Sequence, residues 1–541
     1  MKSKPPKLVS VSAAVLLALG SVYAVGAPVT PLTLGDTLLV SGAAPADATP
    51  TTSCTLTATA NTYTCDNLRS AIAHANANAT PTVTYSRIVL DNGSTHTLSV
   101  ADSGGTEAID AYDNSVGDLD VTAPVTIETT DNALSKATIE GGTGFNDRLL
   151  QINSTANLSN LSLTKGQGVH MNGGAIYGDA SAIVAISRSV LTDNFASWDG
   201  DYVDPAIPGD TGTTEFQGSG GAIYTKGPLT ISFSTLSKNT ARTVVGALDY
   251  QKNGNGGAIY ASQALTISDS TIGGAGLAND AINGGAIFLT GGQTMTVERT
   301  TISHNTSVSG GAMNIVSPSS GATITNSTIS ANFASDAGAG INVNGNITIG
   351  NTTIAGNLLE SAAAGKGSGL NQFNAGVATM HNTLFSGNLG DTLGANTSAN
   401  CGKTGTSSNS VASSGGNLST DATCKLLDGT DQQNVADAKI GPLALNDNSY
   451  NGNLTHALLT GSPAINKGTT SACPATDERN VARPQGAVCD VGAYELIVPP
   501  AASSSSSGCS VASGKAPIDP MLPALAALGL IGLALRRARR S

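Results

Sequence analysis

Five times the chain writes nearly the same phrase: Gly-Gly-Ala-Ile ending at Ile176, Ile223, Ile259 and Ile287, and Gly-Gly-Ala-Met ending at Met313. Aligned on the apolar residue after the small residues, the series continues through Ile341 and Leu370. The later steps are 26–29 residues long; the first two are 47 and 36, because insertions interrupt them. A second phrase follows, with alternating apolar positions and a closing asparagine: 182–194, 229–239, 295–305, 322–332, 347–357 and 378–388. Each unit reads as three short strands separated by turns. A unit this short cannot close a core alone, but stacked on its copies it can. Winding such units into a coil sets each strand parallel to its counterpart one turn on, about 4.8 Å away. The fold expected is therefore all-β, a single-stranded right-handed parallel β-helix with terminal caps.

The columns of this alignment carry the argument. Ile186, Ile231, Ile267, Val297, Ile324, Ile349 and Met380 form one inward stack. Leu191, Leu236, Ile272, Ile302, Ile329, Ile354 and Phe385 form a second, and the apolar residue after the glycines forms a third. The glycines permit a sharp turn where a Cβ would clash. Asn194, Asn239, Asn305, Asn332, Asn357 and Asn388 are expected to stack as an amide ladder. The unit ending at 270–279 is read as lacking that asparagine, so the ladder should break there. Composition agrees: 12% of residues are charged and 4% aromatic, with 64 glycines, a makeup of turns and strands rather than helices. The net charge is −12, and seven of the 26 basic residues lie in the two ends against one of the 38 acids. An acidic middle excludes nucleic acid as partner.

Both ends read as targeting. Residues 1–24 have a basic start, an apolar run and small residues before a cleavage point after Ala24. Residues 497–516 form a serine-rich linker, and 517–541 a short apolar run closed by arginines that would stay cytoplasmic. Seven cysteines suit an exported chain. Neighbour pairing, the preferred of 15 connectivities for six cysteines, gives Cys54–Cys65, Cys401–Cys424 and Cys473–Cys489. Cys509 is left in the tail.

Resemblances sharpen this organisation. The Gly-Gly-Ala-Ile phrase with its closing asparagine resembles the repeats of bacterial polymorphic outer-membrane proteins and other right-handed β-helix surface proteins. The run 65–76 resembles the Cys-Ser-Leu-Arg-Glu-Ala domain at the front of many such chains: Cys65, Leu68, Arg69, Ala71, Ile72, Ala75 and Asn76 match, while Asn67 and Ser70 depart. The run 461–495 resembles the choice-of-anchor Q domain, with Asn480 in place of its usual glycine. The tail resembles the sorting tails that intramembrane proteases cut, with Ile518-Asp519-Pro520 as its signature and Cys509 as the place of processing or lipidation. These likenesses imply a chain divided into a signal peptide (1–24), an N-terminal cap region with a short helix (25–115), β-helix repeats (116–395), a disulfide-bearing anchor-associated domain (396–496), linker and tail. They imply a place in the bacterial cell envelope or surface, with membrane attachment through the tail and release if the tail is cut. They bring no reaction.

Catalysis on such a scaffold requires acids converging in one column of adjacent coils; a glycosidase needs two carboxylates about 5–9.5 Å apart. The column Arg188, Phe233, Asp269, Arg299, Asn326, Asn351, Asn382 is expected to face outward. It offers an Asp269–Arg299 pair with Glu298 beside it, a surface pair of opposite charges, followed by an asparagine face able to bond sugars. His170, His304 and His381 are scattered and lack a nucleophile with an orienting acid. The candidate ligand-binding element is the insertion 197–216, through Trp198, Asp199, Asp201, Tyr202 and Asp204: an aromatic with carboxylates can stack a sugar or hold Ca2+. No catalytic residue, metal site or other cofactor is read. The expectation is a non-catalytic adhesin-like or structural surface protein that binds an extracellular glycan or other cell-surface ligand. The open alternative is a polysaccharide lyase or glycosidase of the same fold. The sequence leaves the oligomeric state undetermined.

Overall fold

The computed structural model describes residues 33–42, 47, 54–79, 84–100, 114–129, 135–169, 171–198, 218–243, 254–316, 321–360, 365–374, 376–390, 397–405, 411–446 and 452–497. These residues wind into a right-handed parallel β-helix. From Leu150 to Gly390 each coil holds four strands, not three. In the coil opened by the first Gly-Gly-Ala-Ile they are Ile176–Gly178, Ile183–Ser187, Val190–Thr192 and Phe195–Trp198. Each pairs in parallel with its counterpart in the next coil, so four sheets run along the axis; we call them the first to fourth faces in that order. The fourth strand escapes a search for apolar columns because its inward residue is small: Ala196, Ala241, Ala281, Ser307 and Ala334.

The three predicted stacks are in register and fully buried. Ile186 pairs with Ile231, Leu191 with Leu236 and Ile176 with Ile223, and the columns continue to Met380, Phe385 and Leu370. Each aliphatic side chain contributes roughly 1.5–3 kcal/mol by leaving water. The paired glycines do two different jobs. Gly256 has φ +70°, open to glycine with little strain. At Gly257 a Cβ would lie 2.1 Å from the carbonyl oxygen of Gly285 in the next coil, so the backbones could not approach.

The amide ladder does not break. The loop 274–278 bulges out and returns Asn279 to the ladder position. Asn239 Nδ2 donates to Asn279 Oδ1 at 2.9 Å, and Asn279 Nδ2 to Asn305 Oδ1 at 2.9 Å. The ladder runs from Asn194 to Asn400, one rung beyond Asn388. At Asn239, Asn279, Asn305, Asn332 and Asn357 the second Nδ2 proton goes to a carbonyl of the preceding coil, and the Oδ1 also accepts a backbone N–H. A second buried ladder, of hydroxyls, turns the corner between the second and third faces. Ser189, Ser234 and Ser270 each accept the backbone N–H of the equivalent position one coil earlier, and Ser327 accepts that of Thr300.

The coil begins and ends outside the span 116–395. Thr33–Val40 and Thr84–Leu90 already stack in parallel on Val125–Thr129, within the expected cap region. Cys401–Thr404 and Leu418–Ser419 are still rungs at the other end. The front is closed by helix α1, Leu68–Ala77, whose Asn67 caps it by accepting the Ser70 N–H at 2.8 Å. Leu68, Ala71, Ile72 and Ala75 enter the core. Fully buried Arg69 pairs with Asp47 and donates to the carbonyls of Gly117 and Asp118 at 2.7 and 2.8 Å, which lead into the strand Leu119–Val121. Asn76 accepts the N–H groups of Thr122 and Ala123. The residues of the Cys-Ser-Leu-Arg-Glu-Ala resemblance thus have structural work to do in the cap. Cys54–Cys65 and Cys401–Cys424 are bonded; the second ties the last coil to a turn that places Leu426 over the core.

The Cys473–Cys489 region, also bonded, does not close the end of the coil. It belongs to an arm, residues 453–497, that turns back along the third face. Leu454 N donates to Thr301 Oγ1 at 2.9 Å, Asn326 Nδ2 to the Thr476 carbonyl at 3.0 Å, Asn351 Nδ2 to the Ala472 carbonyl at 2.9 Å, and Thr469 N to Asn382 Oδ1 at 2.6 Å.

Candidate functional site

The arm disposes of one expected site. Arg188, Phe233, Asp269, Arg299, Asn326, Asn351 and Asn382 all have φ between +44° and +50°. They are corner residues in the left-handed region, where asparagine is tolerated, and not an outward strand column. Asn326, Asn351 and Asn382 spend their amides on the arm, so that asparagine face is not open to a sugar. Asp269 and Arg299 do pair, through both oxygens at 2.7 and 3.0 Å, and Glu298 joins them. Asp269 is only 4% exposed, which makes this a partly buried clamp rather than the surface pair expected.

The true outward column of the first face is the residue after the core aliphatic. It reads Tyr177, Tyr224, Tyr260, Phe288, Asn314, Asn342, Asn371. The four rings stack at 4.5–5.4 Å between centroids, nearly parallel; the three tyrosines are buried. At Asn314 the column changes chemistry. Asn314 Nδ2 donates to Asn283 Oδ1 at 3.4 Å, Asn342 Nδ2 to Asn314 Oδ1 at 3.3 Å, and Asn371 Nδ2 to Asn342 Oδ1 at 2.8 Å and to Thr404 Oγ1 at 3.1 Å.

A groove of about 400 Å³ lies over this amide segment, within the range of about 300–1,000 Å³ that holds small ligands. From Met313 onward the first-face strands lengthen to four residues, which adds a second outward column, Val316, Asn344, Phe373 and Thr404, to the floor. A register shift between Thr306–Ser309 and Phe333–Ala337 marks a bulge in the fourth face and supplies the wall at Ser309, Asp336 and Ala337. Lys366 bonds Asp336 there. Asn342 and Asn344 are half-buried and Phe373 is 42% exposed. Sequence reasoning missed this groove, although its signal was present: the residue after the core aliphatic switches from Tyr or Phe to Asn at Met313.

Two buried charged clusters were also missed. Asp118, Asp147, Arg148 and Gln151 meet near the front of the first face. Arg148 Nε donates to Asp118 Oδ2 at 2.5 Å and lies 4.8 Å over the Tyr177 ring. Burial, then the Asp118 charge, hold the Asp147 carboxyl up at about 7. Asp147 accepts the N–H groups of Asp118 and Arg148 and is itself only 2% exposed. These acids pin backbone. In the arm, Asp477 pairs with Arg479, whose guanidinium lies 3.5 Å over Tyr494, and Arg483 pairs with Glu495. Glu478, fully buried, meets Thr301 Oγ1 at 3.1 Å and Thr328 Oγ1 at 2.5 Å, and burial pushes its carboxyl up to about 8. This cluster holds the arm to the solenoid.

Of the expected ligand residues, Trp198 ends a fourth-face strand that pairs with Thr243; Asp199, Asp201, Tyr202 and Asp204 lie outside the described residues, as do His170, Ala24 and Cys509. His304 and His381 sit apart, each lowered by burial. Among the described residues no group of three or more His, Cys, Asp or Glu is placed to hold a metal ion, and no helix is long and apolar enough to cross a membrane.

No family model and no curated protein matches the chain. Among solved structures it is similar to pectate lyase Pel9A, with a TM-score of 0.41 and 13% identity over 86% of this chain and 97% of that one.

Proposed function

We propose that this chain is an exported, surface-tethered β-helix protein that holds an extracellular glycan without cleaving it. One observation carries the reading: the groove over the first face is lined by amide, hydroxyl and phenyl groups, and the one acid among its described lining residues, Asp336, is engaged by Lys366. Side-chain amides donate and accept at once, as sugar hydroxyls do, and a phenyl ring can cover the apolar face of a pyranose. Glycosidase chemistry would need a second carboxylate opposite the first. The signal peptide, Cys509 and the tail support export and tethering from the sequence.

The test is to incubate the purified protein with soluble polysaccharides, following retention on the polymer and release of reducing or unsaturated ends. Retention without release is expected; steady release of ends would establish the lyase or glycosidase reading instead. Mass spectrometry of envelope material addresses the ends: an N-terminus at Val25 and loss of Arg540 are expected, and an intact Arg540 would refute tail processing.

A further inference from the structure

We infer that the groove recognises an uncharged glycan lying along the solenoid axis, with Asn342 as the group that reads hydroxyls and Phe373 as the ring it stacks on. This rests on the glycan-holding reading above and deepens it.

The amide of Asn342 is fixed from both sides. Its Nδ2 donates to Asn314 Oδ1 at 3.3 Å and its Oδ1 accepts from Asn371 Nδ2 at 2.8 Å. Asn314 and Asn371 are themselves buried, so the ladder sets which atom points where. One N–H and one acceptor position of Asn342 remain for sugar hydroxyls. Such a group loses little freedom on binding, because the ladder has already ordered it.

Orientation follows from the repeat. Equivalent side chains in successive coils are spaced by about 4.8 Å, close to the length of one pyranose residue in an extended chain. A glycan along the axis therefore meets one coil per sugar: Asn283, then Asn314, then Asn342 and Asn344, then Phe373. A chain laid across the coils would leave this register at once.

Charge excludes the acidic class. Among the described residues lining the groove Lys366 is the one cation, and it bonds Asp336, whose carboxylate is the more exposed partner. A uronate would meet that carboxylate and gain no free cation, and taking Lys366 from Asp336 would leave the acid uncompensated.

The experiment is calorimetric titration of the full chain with cellohexaose, xylohexaose and mannohexaose, and with hexagalacturonate as the acidic arm. Variants Asn342→Ala, Asn344→Ala and Phe373→Ala are compared with Trp198→Ala, each checked by thermal unfolding. At least one neutral hexasaccharide is expected to bind, hexagalacturonate to bind at least about tenfold more weakly, and Phe373→Ala and Asn342→Ala each to weaken neutral binding about tenfold. Phe373 and Asn344 are on the surface of the ladder, so a folding defect in Asn342→Ala leaves the test standing. Preference for hexagalacturonate overturns the inference. Neutral binding lost with Trp198→Ala and unmoved by the groove variants also overturns it, while leaving the glycan-holding reading intact. Binding of none of the four overturns both.

Discussion

Glu478 is the residue whose change should speak most clearly. Its carboxyl is fully buried between arm and solenoid, facing Thr301 and Thr328, with Asp477 and Arg479 beside it in sequence. The Thr301 hydroxyl has one proton to share between the Leu454 carbonyl at 2.8 Å and Glu478 at 3.1 Å, and its oxygen already accepts the Leu454 N–H, so the threonines only partly offset the cost of burying a charged carboxylate. Burial, outweighing the two threonine hydroxyls, moves the carboxyl from its ordinary 4.5 to about 8. The folded state thus holds a proton that the unfolded state has released. The stabilisation is complete below pH 4.5, falls as pH rises, and is gone above pH 8. At about 1.4 kcal/mol for each decade in affinity, the loss over that window is about 5 kcal/mol, an upper figure because local opening of the arm would limit it. Half-buried His456 works the other way: lowered by desolvation, it favours folding above its ordinary 6.5 and loses that as pH falls. For this reason the comparison is between variants and not along one profile. Glu478→Gln keeps the shape, offers Nε2–H to Thr301 and an oxygen to Thr328, and never ionises. Urea denaturation of both proteins from pH 4 to pH 9 should give near-equal stability at pH 4 and a gap of about 3–5 kcal/mol in favour of the glutamine at pH 9. Parallel profiles, or a glutamine variant weaker at every pH, would refute the argument.

Three further outcomes follow from the scaffold. Gly257→Ala drives a Cβ to 2.1 Å from the Gly285 carbonyl oxygen and should cost more than about 4 kcal/mol, whereas Gly276→Ala, with open space around it and only a positive φ to bear, should cost about 1 kcal/mol in the same denaturation assay. Asn305→Ala leaves the N–H and amide of Asn279 without their shared acceptor inside the solenoid, and thermal unfolding should show a loss of about 2–4 kcal/mol. Arg69→Ala removes the guanidinium that holds Asp47 and the carbonyls of Gly117 and Asp118 beneath the cap; a loss of about 3–5 kcal/mol is expected, and amide exchange in α1 should rise before that of the central coils.

The groove shows how far the letters carry a site. Every residue of its floor stands in the repeat alignment, and the step from Phe288 to Asn314 is visible there. What the letters do not carry is which outward column is open. The Tyr177 column is buried at its three tyrosines and at Asn314 and Asn371 and half-open at Phe288 and Asn342, while the corner asparagines Asn326, Asn351 and Asn382 look more available and are covered by the arm. The Asn279 rung was misjudged for a related reason: counting residues assumes that each coil keeps its length, whereas the chain loops 274–278 outward and restores the ladder.

By itself the sequence determined the coil. A solenoid's contacts run between neighbours at nearly constant separation, so its apolar stacks, its amide ladder and its crowded glycines repeat in the letters with the same period. Its small inward residues hid the fourth strand, since alanine excludes little water and marks no column. Only the tertiary structure decided where the arm goes, which charges it buries and which face remains open. Glu478 meets Thr301 and Thr328 across more than a hundred residues of chain, once, with no periodic echo; such a contact depends on shape and desolvation at a docked surface, and nothing local in the chain announces it.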